Sequence, residues 1–129
     1  MPATLPRDER LRRRKVVERM FASGARSLSV YPLRVVYMPL QADDVQNAPA
    51  AILVSVPKRR LHHAVDRNRV KRLIREAYRL HKAPLTTALQ ERGTRVAIAF
   101  LYQSQDLPTQ ELIHTRVRTA LARIAERLP

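Results

Sequence analysis

Ten of the chain's 25 lysines and arginines fall between Lys58 and Lys82, in KRRLHHAVDRNRVKRLIREAYRLHK, against two acids, Asp66 and Glu76. Residues of this type at this spacing bind polyanion. On a helix at roughly 100° per residue, Val70, Leu73, Ile74, Ala77 and Leu80 gather on one side. Asn68, Lys71, Arg72, Arg75, Arg79 and Lys82 gather on the other. The first face can dock on a core while the second meets phosphate. Arginine dominates the charged face, and its planar fork can hold a phosphate bidentately or stack on a base. A second basic cluster, Arg10, Arg12, Arg13, Arg14 and Lys15, belongs to the first helical pattern of the chain.

Other chemistries lack their residues. Gly24 and Gly93 are the only glycines, so neither a GxxxxGK[ST] phosphate loop nor a GxGxxG dinucleotide turn can be built. There is no cysteine, which removes disulfides, thiolate metal sites and a cysteine nucleophile. His62, His63, His81 and His114 are not at HExxH spacing, and no metal site in the protein is expected. The acid pairs Asp8 with Glu9 and Asp43 with Asp44 lie in stretches that read as exposed, where solvation is the ordinary state. No catalytic group is expected in the protein; in any catalysis the reactive groups belong to what it binds. The formal charge of +14 implies strong self-repulsion until a polyanionic partner neutralises it, and nucleic acid is the leading partner class. No apolar run approaches the roughly 20 residues that span a bilayer, and MPATLPRDERLRRRK lacks the apolar stretch of a signal peptide. A cytoplasmic location is expected.

The elements that must position the basic face can be read along the chain. With 129 residues, 45% of them hydrophobic, a single domain over 1–129 with one modest core is expected. MPATLP, residues 1–6, reads as a loose tail. Leu11, Val17, Met20 and Phe21 predict a helix from about Arg7 to Ser23, with Gly24 as a left-handed cap. Leu33 to Leu40 and Ala51 to Val56 are apolar and β-branched, joined by a loop, and read as adjacent antiparallel strands. The basic helix follows with Asp66 or Asn68 as N-cap and Pro84 as its stop, with a little extra helix through LTTALQER. In RVAIAFLY, Val96, Ile98, Phe100 and Tyr102 alternate with Ala97 and Ala99, a strand with one bulky and one small face. Asp106, Pro108 and Thr109 signal a last helix to about Leu128, with Leu112, Val117, Leu121, Ile124 and Leu128 as its buried stripe. The fold class is α+β: a small mixed sheet of about four strands packed with three helices, in the order α-β-β-(β)-α-β-α.

DRNRVKRLIREAYR, from Asp66 to Arg79, preceded by a strand ending in SVPK at Ser55 to Lys58, resembles the protein subunit of bacterial ribonuclease P and its RNR signature. The likeness extends to the first helix with Phe21 and Gly24, to the strand with Tyr37, and to the final strand and helix. The chain departs from the family pattern in two places: Arg59 to His63 replaces a glycine-containing turn with an apparent extra residue, and Val17 stands where many relatives carry an aromatic. The resemblance implies a left-handed β-α-β crossover, although such crossovers are right-handed in about 98% of cases.

It further implies that a catalytic RNA subunit hydrolyses the phosphodiester that frees the mature 5′ end of tRNA, with Mg2+ held mainly by that RNA. Arg67, Asn68, Arg69, Lys71, Arg72, Arg75 and Arg79, with Lys58, Arg59 and Arg60, would bind the catalytic RNA, one protein to one RNA. Val17, Phe21, Arg34 and Tyr37 would line a cleft for the single-stranded 5′ leader of precursor tRNA, since aromatic faces accept any base. The alternative is a non-catalytic module clamping structured RNA, such as a ribosome-associated protein. DNA is not expected as a partner, because a strand rather than a helix precedes the basic helix, and a membrane is not expected, because the helix needs its apolar side for the core.

Overall fold

Residues 96–100 alternate large and small side chains, and both sets are buried. A strand buried on both faces belongs in the middle of a sheet. The computed structural model describes residues 9–11, 14–22, 25–41 and 48–128. Within them the elements run α1 (Arg14–Ala22), β1 (Arg26–Val30), β2 (Leu33–Pro39), β3 (Ala50–Ser55), α2 (Ala64–His81), α3 (Ala83–Arg92), β4 (Val96–Tyr102) and α4 (Gln110–Glu126). The sheet order is β1-β2-β4-β3. β4 pairs antiparallel with β2 and parallel with β3. The expected α+β class is the one found, with α3 as the extra helix through LTTALQER.

β2 and β3 are not the adjacent antiparallel pair that the loop between them suggested. β4 lies between them, and the parallel β3–β4 pair is closed by the long crossover such pairs require, here α2 and α3. The large face of β4 packs with Leu33, Val35, Ile52 and Val54 against α2 and α4. Its small face, Ala97 and Ala99, joins Val36, Met38 and Ala51 under Val16 and Met20 of α1. Alanine at these positions lets the short helix lie close to the sheet.

α1 begins at Arg14 rather than Arg7. Before it, Arg10 forms a parallel bridge with Ile52, and the Leu11 N–H donates to the Ile52 carbonyl at 2.8 Å. The open edge of β3 captures this segment, so Arg10 and Leu11 are not part of the helix. The tail at 1–6, the helical start at Arg7, Arg12, Arg13 and the Gly24 cap lie outside the described residues.

α2 starts earlier than a side-chain cap would place it. His63 is the N-cap, with extended φ −86° and ψ 129° and no side-chain cap hydrogen bond. Asp66 sits within the first turn, where the helix dipole favours an acid, and Asn68 is exposed further along. The buried face is Val70, Ile74, Ala77 and Tyr78. Leu73 is only partly buried, and Leu80, expected in the stripe, is 53% exposed. Tyr78 replaces it, its ring edge-on to Phe100 with centroids 6.5 Å apart.

Pro84 does more than end α2. It occupies the first turn of α3, where its missing N–H costs nothing, while Lys82 caps both helices. Gly93 closes α3 at φ 63°, ψ 28°, the left-handed cap that glycine adopts without strain. The Thr109 hydroxyl accepts from the Leu112 N–H at 3.1 Å and starts α4. The buried face of α4 is Ile113, Val117, Ala120, Leu121 and Ile124, with Leu112 and Leu128 only partly buried. Among the described residues no helix is long and apolar enough to cross a membrane.

α2 and α4 also meet through His81 Nε2 and His114 Nδ1, 3.2 Å apart. Burial, then the neighbouring His114 and Arg118, lowers the His81 pKa. The unfolded chain therefore binds that proton more readily, and stability must decline as pH falls through the ordinary histidine value of 6.5. Thermal melts between roughly pH 7.5 and 5.5 should show this decline, and His81→Gln should flatten it. Burial separates two leucine-type positions of α2. Ile74→Ala should cost about 2–5 kcal/mol, whereas Leu80→Ala should stay within about 0.5 kcal/mol in urea unfolding.

Candidate nucleic-acid interface

The basic helix and the turn before it form one surface. Arg69 and Arg72 are exposed, Lys71 and Arg75 are half-exposed, and none of the four has an acidic partner among the described residues. Asn68 stands exposed beside them. Two members of the predicted set are occupied differently. Arg79 forks onto the Glu76 carboxylate, with Nε at 3.1 Å from Oε2. That contact holds the Glu76 pKa below the usual carboxylate range. Arg79 therefore presents less free charge than its position implied.

Arg67 turns back on the chain. Its Nη1 donates to the Leu61 carbonyl at 2.9 Å and to the His62 carbonyl at 2.7 Å. It braces the turn that opens α2. That turn needs no glycine. The Arg60 and Leu61 N–H groups both reach the Pro57 carbonyl, at 3.0 and 3.3 Å, and no described non-glycine residue has a positive φ. Leu61, 6% exposed, anchors it in the core, so the extra residue of Arg59 to His63 is absorbed in a closed turn.

The other face of the sheet carries a groove. α1 covers the Met38–Ala97–Ala51 row and the Val36–Ala99 pair but ends at Ala22. The next row, Ser29–Arg34–Leu101–Ser55, is left open. Two connected hollows of about 370 and 350 Å3 lie there, sharing Phe21, Arg34 and Leu101. Phe21 projects from the last turn of α1 with half its surface exposed, and the larger hollow is walled by Arg59, Arg60, Pro57 and Gln103. An aromatic face beside exposed guanidinium groups can stack a base and hold its phosphate.

Of the predicted cleft residues the structure brings Phe21 and Arg34 together. Tyr37 is a correction: it follows the phase of Leu33 and Val35 and is buried on the opposite face, against the α2–α4 side. Val17 is also displaced, half-buried in the α1–sheet contact rather than in the groove wall. Arg59 and Arg60, placed with the helix by sequence, stand at the groove, while Lys58 is exposed in the same turn. Leu101, Ser55 and Gln103 were missed. For Leu101 and Ser55 no local pattern gave a signal, because a helix over 7–23 would have covered the face of β4 and β3 that the nine-residue α1 leaves partly bare.

The ribonuclease P family model matches residues 5–125. The ribonuclease P protein component of Porphyromonas gingivalis is 44% identical over 130 residues, covering 99% of this chain and 93% of that protein. That of Chlorobaculum tepidum is 36% identical over 132 residues, covering 97% and 86%. In fold the chain is similar to the RNase P protein of Staphylococcus aureus, with a TM-score of 0.69 at 20% identity over 92% of this chain and 95% of that one. It is also similar to the RNase P protein of Thermotoga maritima, with a TM-score of 0.55 at 19% identity over 93% and 100%.

The two arginine roles separate in a stability measurement. Arg67→Ala removes charge-assisted bonds to two carbonyls and should cost about 1.5–3 kcal/mol. Arg72→Ala, on the exposed side of the same helix, should stay within about 0.5 kcal/mol in the same urea titration. Equal effects at the two positions would remove the bracing role of Arg67.

Proposed function

The chain belongs to the ribonuclease P protein family, and from that membership we propose that it is the protein subunit of a ribonuclease P that works by holding two RNAs on two faces. The exposed side of α2, with Asn68, Arg69, Lys71, Arg72 and Arg75, docks on the catalytic RNA subunit. The groove on the α1 side takes the single-stranded 5′ leader of precursor tRNA, Phe21 stacking on a base while Arg34, Arg59 and Arg60 neutralise its phosphates. The observation that carries the reading is the open Arg34 row beside the exposed Phe21 ring, on the face of the sheet opposite α2. A sheet between the two RNA-binding surfaces lets one protein contact ribozyme and substrate together.

Bond breaking belongs to the RNA subunit in this reading, with magnesium ions activating water and stabilising the leaving oxygen. The described residues bring no three acidic, histidine or cysteine side chains together as a metal site, and the ions are assigned to the RNA. What this chain contributes is position and charge. Cations along α2 lower the repulsion between RNA phosphates, so the RNA subunit folds at lower magnesium.

Reconstitution tests the reading. Added to a bacterial ribonuclease P RNA at low magnesium, the protein should restore cleavage of precursor tRNA; a protein that binds the RNA without restoring cleavage is a structured-RNA clamp instead. Phe21→Ala should weaken binding of precursor tRNA by about 1–3 kcal/mol per lost stack and leave binding of mature tRNA unchanged. Equal weakening of both would remove Phe21 from the leader site.

A further inference from the structure

His81 and His114 belong to neither of the surfaces described above, yet their side chains meet. His81 lies in the last turn of α2 and His114 near the start of α4, 33 residues apart in sequence. The two helices are fixed against each other, with Ala77 and Tyr78 of α2 in the same core cluster as Ile113 and Val117 of α4. His81 Nε2 and His114 Nδ1 are 3.2 Å apart, with the ring planes at 85° and the centroids 5.3 Å apart. The rings do not stack; a nitrogen of each approaches the other.

As a hydrogen bond this pair is incomplete. One imidazole N–H lies between the two nitrogens, and either tautomer leaves His114 Nε2 buried without a partner. With Nε2 closed off, Nδ1 is the nitrogen through which His114 can take a ligand. The spacing suits a transition ion: with metal–nitrogen bonds of roughly 2.0–2.1 Å, two nitrogens 3.2 Å apart subtend about 100° at the ion, between the tetrahedral and octahedral angles. Both side chains are half-buried, which leaves an outer side where water completes the shell. The cations nearest in sequence to His81 are already matched, Arg79 by Glu76 and Lys82 by Glu9. Arg118, one turn on from His114, is exposed, and solvent screens its charge.

We propose that His81 Nε2 and His114 Nδ1 form a two-histidine site for a divalent transition ion of the zinc, nickel or copper class, with water in the remaining positions. Imidazole is a ligand these ions favour, whereas magnesium takes oxygen, so the site is separate from any magnesium held by RNA. An ion there replaces the proton shared by the rings and staples the end of α2 to α4. Among the described residues no third histidine, acid or cysteine joins the pair. Binding is therefore readily reversible and follows the free ion concentration.

The test uses the full-length protein, stripped with EDTA and returned to chelator-free buffer at about pH 7.5, where an ordinary histidine is neutral. Thermal melts are recorded with Zn2+, Ni2+ or Mg2+ added separately. Zn2+ and Ni2+ should each raise the wild-type Tm in a saturable manner, and Mg2+ at the same concentration should not. His81→Gln and His114→Gln, each compared with its own metal-free melt, should lose the increment. A double variant of the exposed histidines before α2, His62→Gln with His63→Gln, should keep it. The site is overturned by a wild type without a saturable rise, by a rise undiminished in His81→Gln or His114→Gln, or by a rise lost with His62 and His63.

Imidazole nitrogen NMR on the wild type gives a readout that does not depend on how the variants fold. Zn2+ should shift the His81 Nε2 and His114 Nδ1 resonances together, at a concentration that leaves those of His62 and His63 in place. Absence of a shift at either His81 or His114 overturns the proposal, whatever happens at His62 and His63. No RNA enters either measurement, so the outcome is independent of the function proposed above.

Discussion

Everything in this fold leans on the unequal faces of β4. A parallel neighbour on one side and an antiparallel one on the other flank it along its length, so its two sets of side chains must each satisfy a different layer. Ile98 and Phe100 give α2 and α4 a thick apolar bed, with Tyr78 set edge-on against Phe100. Ala97 and Ala99 give almost no thickness on the other side. The consequence is a two-sided molecule with a deep core beneath the basic helix and a shallow cover over the remaining face. Packing density in protein interiors leaves little slack for exchanging such faces.

The distribution of charge follows from that asymmetry. A net charge of +14 cannot be placed within the core, and a small domain has few acids with which to balance it. The acids that are present serve local tasks: Glu76 steadies Arg79 and Glu9 ties the N-terminal segment to Lys82. The arginines without acidic partners therefore accumulate on the outer side of α2 and at the turn that precedes it. Electrostatic attraction of this breadth speeds encounter with any polyanion and is weakened by salt.

Local signals were legible in sequence and long-range pairings were not. The alternation at 96–102, the Thr109 cap and the basic arc of α2 each rest on residues within a few positions of one another. Tyr37 was misjudged because LRVVYMP is apolar in both phases, so alternation does not tell which face is the core. The β2–β3 pairing was misread because a strand from beyond α2 and α3, β4, intervenes between them. Arg67 looked like its neighbours, since nothing in the RNR run marks a guanidinium that turns back to carbonyls five and six residues earlier. Leu80 and Tyr78 exchanged places because helical spacing alone gives the width of a buried stripe but not its centre. In the interface, the residue types were readable from sequence, while the division of Arg34, Arg59 and Arg60 from the α2 arc needed the sheet.

The turn from Pro57 to His63 opens α2 and at the same time stands as one wall of the groove. Leu61 fixes its inner end in the core, and Arg67 clips its outer end to the helix. Chain length in this turn is therefore a gauge for groove width: residues gained or lost at 59 and 60 shift the wall while the helix stays in register. The groove and the exposed side of α2, though on different faces, are thus tied to one another by one short stretch of backbone.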